Sequence, residues 1–429
     1  MRNVKKVVII LAVIVTAFFL KQETANASGF AVYTLDQTAG AQGMAVVAHT
    51  DSPSTIFYNP ALMNTLQGVQ AAINFTVIAP SYKFHSDITG KDYSGVDNNE
   101  YVPSLFITQK FNDKLSWGVG VYTPFGLSTN WGETWEGRYI TTKASLQTIN
   151  VNPAVSYRVL PNLSIAAGVD IMTANATLSK ALNLSPLGLP DGQQTLKADD
   201  ATGFGFNVGL AWDPVKDITV GAAYRSRIRL DFEGNVTNNL PSETPAPLAS
   251  LFPDTQGSTD ITLPDQVFFG VAYKGIDRLT VEAGGRWEGW SSYKELLIEL
   301  QQPIAFSSES VTPKNWTNVW SFGVGTKYQL TDTLALMAGY LWQSSAVPDS
   351  TFEPSIPDND SSVYSIGLKY QIGKLWMSPS YEYQHVYSRT KDNTVDGNPS
   401  GSVFDPATSA NGTYRTNLQI VGLTVGYLF

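Results

Sequence analysis

Ile420-Val421-Gly422-Leu423-Thr424-Val425-Gly426-Tyr427-Leu428-Phe429 closes the sequence with a period of two. Val421, Leu423, Val425, Tyr427 and Phe429 fall on one face of an extended strand, and Ile420, Gly422, Thr424, Gly426 and Leu428 on the other, because successive strand side chains point to opposite sides. A strand in a soluble sandwich buries its bulky face and covers the other with charge. Here the second face is small and mildly polar, as in a strand with lipid outside and a filled lumen inside. The pattern recurs upstream. Trp320, Phe322, Val324 and Tyr328 alternate with Ser321, Gly323, Gly325 and Lys327; Phe204, Phe206, Val208, Leu210 and Trp212 alternate with Gly203, Gly205, Asn207, Gly209 and Ala211.

The connections alternate in length. Short turns at Asn112, Pro161, Asp213 to Asp217, Gly275, Asp332 and Gly373 separate longer polar stretches, about 84–99, 127–143, 181–200, 233–260, 300–314, 345–360 and 388–412. Six turns at one end and seven loops at the other require fourteen strands, an even number, with both barrel termini on the periplasmic side. Phe111, Tyr157, Trp212, Tyr273, Tyr328, Tyr370 and Tyr427 all stand beside the short turns on the bulky parity, which predicts an aromatic girdle at headgroup level. The expected fold is therefore all-β: a 14-stranded antiparallel transmembrane β-barrel over 69–429.

Composition closes off other classes. The 429 residues are 43% hydrophobic and only 15% charged, so the chain is not disordered, and beyond the first twenty residues no apolar run reaches the roughly 18 residues of a spanning helix. A net charge of -9 without a basic run excludes phosphate-backbone binding, so no nucleic acid partner is expected. With no cysteine there is no thiolate chemistry, and three histidines, His49, His85 and His385, form no constellation with a nucleophile, so no enzyme is expected. No cofactor or metal is expected either, since Asp358-Asn359-Asp360 lacks the spaced ligand series of a calcium loop.

Arg2, Lys5 and Lys6 precede an apolar run from Val7 to Leu20 and a small-x-small site at Ala25-Asn26-Ala27, which marks 1–27 as a secretory signal peptide. Residues 28–68 do not alternate. Gly29, Gly40, Gly43, Pro53 and Pro60 punctuate apolar pieces that need burial, so this stretch is expected to be a plug, or hatch, inside the lumen.

The residues also carry a resemblance. Ser28-Gly29-Phe30, Gly40-Ala41-Gln42-Gly43-Met44-Ala45 and Asp51 running to Tyr58-Asn59-Pro60-Ala61 resemble the hatch of the FadL family of outer-membrane transporters for long-chain fatty acids and other hydrophobic compounds. Thr123-Pro124-Phe125-Gly126-Leu127 looks like the family's kinked third strand, Ala223-Tyr224-Arg225-Ser226 the seventh, Leu263-Pro264-Asp265 the opening of the eighth, and Val347-Pro348-Asp349 with Ile356 to Asp360 the sixth long loop. The resemblance covers essentially the whole mature chain. It implies passive uptake at the outer membrane of a Gram-negative bacterium: ligand caught by outer loops, bound near Ser28, Gly29 and Phe30, and released sideways through the wall at Pro124, Phe125 and Gly126, with Asn59, Pro60 and Ala61 anchoring the hatch. Pro124 fits, having no N–H for the ladder.

For a carboxylate ligand the resemblance implies basic pocket residues, matched by Lys180 and, two positions out of register, by Lys314; Ser361 stands where the family usually has arginine. The alternative ligand is an uncharged monoaromatic or alkane hydrocarbon, and a general porin is a further alternative. Partners are a hydrophobic small molecule, outer-membrane lipid including lipopolysaccharide, and the barrel-assembly machinery during biogenesis; a monomer is expected. Independently of any family, alternation places Arg225, Arg227, Arg229 and Asp231 in the lumen, with Arg286 beside Glu282 and Glu288, as a charge network that holds the hatch. Facing lipid, each arginine near the midplane would cost roughly 2–4 kcal/mol.

Overall fold

The computed structural model describes residues 29–96, 98–398 and 404–429. The expected signal peptide and Ser28 lie outside the described residues. From Val69 onward the chain makes one antiparallel sheet that curls until its last strand pairs with its first, from Gln70 with Leu428 to Ser86 with Gly412. The wall comprises β1 (Val69–Ser86), β2 (Glu100–Lys110), β3 (Leu115–Tyr122 and Gly126–Asn130), β4 (Lys143–Leu160), β5 (Leu163–Leu182), β6 (Gly192–Val215) and β7 (Ile218–Arg225 and Ile228–Asn239). It continues through β8 (Thr255–Leu263 and Gln266–Ile276), β9 (Leu279–Glu288), β10 (Val319–Gln329), β11 (Leu334–Gln343), β12 (Ser361–Ile372), β13 (Leu375–Lys391) and β14 (Gly412–Leu428). The wall is a closed barrel of fourteen strands. Between β9 and β10 the chain rises in an outer hairpin, Glu295–Ile304 with Ser307–Pro313.

Burial is inverted relative to a soluble fold. Phe204, Phe206, Val208, Leu210 and Trp212 of β6 are exposed on the outer surface, while Asn74, Thr76, Ser104, Asn150, Ser321 and Thr424 are buried inside. The seven girdle aromatics, Phe111, Tyr157, Trp212, Tyr273, Tyr328, Tyr370 and Tyr427, are all exposed beside the short turns. An apolar exterior of this kind costs about 25 cal/mol per Å² in water and nothing in lipid.

Three strands are interrupted: β3 at Thr123 to Phe125, β7 at Ser226 and Arg227, and β8 at Pro264 and Asp265. The break in β7 corrects one expectation. Ser226 donates its N–H to Phe206 O (2.9 Å) and accepts the Phe206 N–H on its hydroxyl (2.9 Å), so a side chain replaces one backbone acceptor and the pleat restarts out of phase. Ile228, Leu230 and Phe232 then turn inward, and Arg229 and Asp231 turn outward. Of the four β7 residues expected inside, only Arg225 faces the lumen. Arg227 pairs with Asp265 at 3.4 Å, and Arg229 pairs with Asp231 at 2.9 Å and Asp260 at 3.4 Å on the exposed side.

Residues 29–68 occupy the lumen, almost wholly buried, in short turns of helix at Gln37–Gly40, Thr55–Tyr58 and Pro60–Thr65. Asp36 caps the first by accepting the Thr38 N–H (2.6 Å). Asn59 caps the last by accepting the Ala61 N–H (3.1 Å), with Pro60 at the first helical position, where a missing N–H does no harm. The small inward parity of the wall is what admits this segment: a methyl at Gly221 would collide with Val47 O, and one at Gly339 with Gly43 N.

Candidate functional site

In the periplasmic half of the lumen, polar groups of the wall bind the N-terminal segment. Glu282 of β9 accepts the N–H groups of Val47 (2.6 Å) and Ala48 (3.0 Å) and contacts His49 Nδ1 (2.7 Å). Asp51 is clamped between Lys327 and Lys369, the latter at 2.9 Å. Asn59 donates to Val47 O (2.7 Å) and across to Leu210 O of β6 (2.9 Å), and Ser156 donates to Ala61 O (3.0 Å). Arg225 pairs with Asp170 at 2.7 Å and donates to Phe57 O (3.1 Å), Ile56 O (3.0 Å) and Asn152 Oδ1 (3.1 Å). Arg286 pairs with Glu288 at 2.8 Å and lies 3.3 Å over the Tyr33 ring. Alternation along the strands had flagged Arg225 and Arg286. Alternation also turns Lys327 inward, but nothing local in the sequence pairs it or Lys369 with Asp51.

Higher up, contacts become aromatic. The Phe30 ring packs against Trp290 (4.6 Å between centroids), Trp316 (5.6 Å), Tyr293 (6.3 Å) and Phe125 (6.5 Å). Trp290 donates its indole N–H to Glu288 (2.9 Å), the carboxylate that also holds Arg286. The tryptophans come from the chain between β9 and β10, and nothing local in the sequence shows that they converge on residue 30.

The same segment fills the interruption in β3. Ala31 pairs with Phe125 in an antiparallel bridge, the Val32 N–H donates to Pro124 O (2.8 Å), and the Gly126 N–H donates to Phe30 O (2.7 Å). Phe30, Pro124, Phe125 and Gly126, which the sequence offered as separate sites, therefore meet in one place. Gly29 is tied by its N–H to Asp358 Oδ2 (3.1 Å), which also accepts from Ser345 Oγ (3.0 Å). Burial pushes the Asp358 carboxyl up to about 6 despite these donors and the nearby Arg389.

The two lysines do not meet. Lys180, on the inward parity of β5, lines a cavity of about 130 Å³ whose other walls include Leu178, Leu196, Val236, Ile298 and Leu300. Among the described residues no carboxylate pairs with it. Lys314 lies elsewhere, buried against Glu353 at 2.7 Å. Burial acts against both charges of that pair, yet each holds the other ionised: Lys314 is raised above, and Glu353 lowered below, its ordinary pKa. Lys314 is thus occupied by a partner 39 residues away that its register did not predict.

Comparison with known proteins bears on this arrangement. Residues 19–429 match the family model described as "Outer membrane protein transport protein (OMPP1/FadL/TodX)". A putative outer membrane protein of Neisseria meningitidis serogroup B is 26% identical, covering 99% of this chain and 98% of its own. A long-chain fatty acid transport protein of Escherichia coli O6:H1 is 25% identical over 75% of this chain and 78% of its own. Among solved structures, a FadL homologue of Pseudomonas aeruginosa superposes with a TM-score of 0.81 at 21% identity, covering 94% of this chain and 100% of that one. These relatives and the barrel place the protein in a Gram-negative outer membrane, in a family of transport proteins rather than enzymes. The chain belongs to the OMPP1/FadL/TodX family of outer membrane transport proteins.

Proposed function

We propose that this barrel takes up long-chain fatty acids or similar amphiphiles, which enter from the outer loops, displace the upper end of the N-terminal hatch and leave sideways through the wall at β3. The observation that carries the reading is the filled interruption. Pro124 offers no N–H, and the two backbone bonds closing the gap come from Phe30 and Val32 of the hatch rather than from a wall strand. A ligand that draws Phe30 out of its aromatic surroundings removes both bonds and opens a path into the bilayer. An apolar molecule gains by that path, because a water-filled exit would cost it about 25 cal/mol per Å².

Lys180 favours a carboxylate headgroup: an ammonium without a counter-ion among the described residues, beside Leu178, Leu196 and Ile298, is suited to an anion with an apolar tail. The long-chain fatty acid transport protein among the relatives supports the same class. A second reading, an uncharged aromatic hydrocarbon, is favoured by the ring-lined surroundings of Phe30.

Uptake of radiolabelled oleate and toluene by cells lacking their own transporter separates the two. Under the first reading Lys180→Ala weakens oleate uptake roughly tenfold or more, the loss of a charge-assisted hydrogen bond of about 1.5–3 kcal/mol, and leaves toluene unaffected. Oleate uptake that is absent, or untouched by the variant, would sink it and leave the hydrocarbon reading standing.

A further inference from the structure

On the outer surface of the seam where the barrel closes, two cations face each other. Lys83 of β1 and Arg415 of β14 are direct cross-strand partners and both point outward, exposed. Like charges opposite one another destabilise an antiparallel pair, so this pairing works against the ladder unless an anion lies between them. The protein has acids to spare, with 37 Asp and Glu against 28 Lys and Arg. Several exposed cations elsewhere on the wall are matched: Arg227 by Asp265, Arg229 by Asp231 and Asp260, Lys197 by Asp199. Among the described residues neither Lys83 nor Arg415 has a carboxylate partner. Asp92, on the same face, pairs with His85 (2.9 Å).

Their height identifies the anion. Below them the outward faces of the two strands carry Ile73, Phe75 and Val77, and Val421, Leu423 and Val425, the apolar band. Ala79 ends it on β1. Lys83 is four residues further, about 10 Å up a tilted wall at about 3.3 Å per residue. On the next strand Tyr387, exposed with its hydroxyl near Ser362 (3.0 Å), stands beside Arg415, and tyrosines of this kind mark the headgroup layer. In an outer membrane the anions anchored at that level, with acyl chains running down the band below, are the phosphates of the outer leaflet's phosphorylated glycolipid. We infer that Lys83 and Arg415 form a seat for a phosphate of lipid A, so that the barrel's closing seam is clamped by its own membrane. Thr413, beside His85 on the same face, adds a hydroxyl within reach of a sugar or phosphate oxygen.

The test uses the full barrel in neutral detergent, with thermal unfolding followed as bisphosphorylated lipid A is added. The wild type should gain melting temperature with lipid A and gain none with dephosphorylated lipid A, since a ligand bound only by the folded state stabilises it in proportion to its occupancy. Lys83→Gln/Arg415→Gln should need at least about tenfold more lipid A for the same gain, each cation near a headgroup surface being worth about a factor of five. In lipid-free detergent the double variant should melt no lower than the wild type, because the repulsion is gone. Arg229→Gln should respond to lipid A as the wild type does. If the double variant does not fold, the single changes serve, each shifting half-saturation by about fivefold. Equal responses of wild type and variants, or an equal gain with dephosphorylated lipid A, would overturn the assignment. So would a gain with oleate that the double variant loses while its lipid A response stays intact, since the pair would then serve a free carboxylate.

Discussion

The lower and upper halves of the lumen are filled by the same forty-residue segment, yet they are held by different physics. Below, Glu282, Asp51, Arg225 and Asn59 form directional, mostly charge-assisted bonds between segment and wall, and Arg225 and Asn59 each have partners in both. Above, Phe30 rests among rings, and among the described residues two backbone bonds tie its neighbourhood to β3. Breaking one member of a buried charged network leaves an uncompensated group and is expensive, whereas an apolar side chain gives way to any molecule that offers similar area. Under the proposed function, that difference gives immobility to the periplasmic half and exchange to the outer half.

Breaking the lower half should have the largest effect. Arg225→Ala leaves the Asp170 carboxylate buried without its ion pair and removes two bonds to the backbone of Ile56 and Phe57. It should cost about 3–5 kcal/mol of stability. Single-channel conductance in planar bilayers should rise as the segment loosens; conductance at the wild-type level would mean that the lower network is not what keeps the segment seated.

The upper half should respond to pH through Asp358. Its carboxyl is raised to about 6 from an ordinary value near 3.8, so the buried, neutral form is the favoured one. The resulting contribution to folding stability is fully present below about pH 4 and is lost as pH rises through 6, a change of about 3 kcal/mol at 1.36 per unit, set by burial and opposed by the Gly29 N–H, which favours the ionised form. Melting temperature should therefore be higher at pH 5 than at pH 7.5 through this group. In Asp358→Asn, which keeps a neutral side chain at all pH, the two should be equal. A variant that retained the full pH dependence would move the titrating group elsewhere.

The smallest effect sharpens the contrast within one strand. Arg229→Ala, four residues from Arg225, removes only exposed pairs with Asp231 and Asp260, and should leave melting temperature and conductance unchanged. A marked loss would put Arg229 back in the lumen.

These cases also show how far the sequence could be read. Alternation, turn spacing and the seven girdle aromatics were enough for the strand count, because lipid imposes a period of two on every stave and turns fall where the chain must reverse. The weak point of β3 was legible in Pro124, whose missing N–H is local chemistry. Arg227 and Arg229 were misplaced because parity survives only while the ladder is unbroken, and the hydroxyl of Ser226 breaks it. Lys314 was matched without its counter-ion, since Glu353 arrives from another loop, and Trp290, Tyr293 and Trp316 reach Phe30 from 260 and more residues away. Contacts of that range are set by closure of the barrel, which no local pattern encodes.

A chain without cysteine allows a direct test of the proposal that the hatch's upper end is the movable closure of the gap in β3. Ala31 and Phe125 are a bridge pair flanked by the bonds from Val32 to Pro124 and from Gly126 to Phe30, the non-hydrogen-bonded geometry whose Cα separation of about 4.5 Å lies at the short end of the range a disulfide spans. In Ala31→Cys/Phe125→Cys, oleate uptake should fall to background when the pair is oxidised and return on reduction. Uptake that continues unchanged through the oxidised, locked barrel would contradict the account.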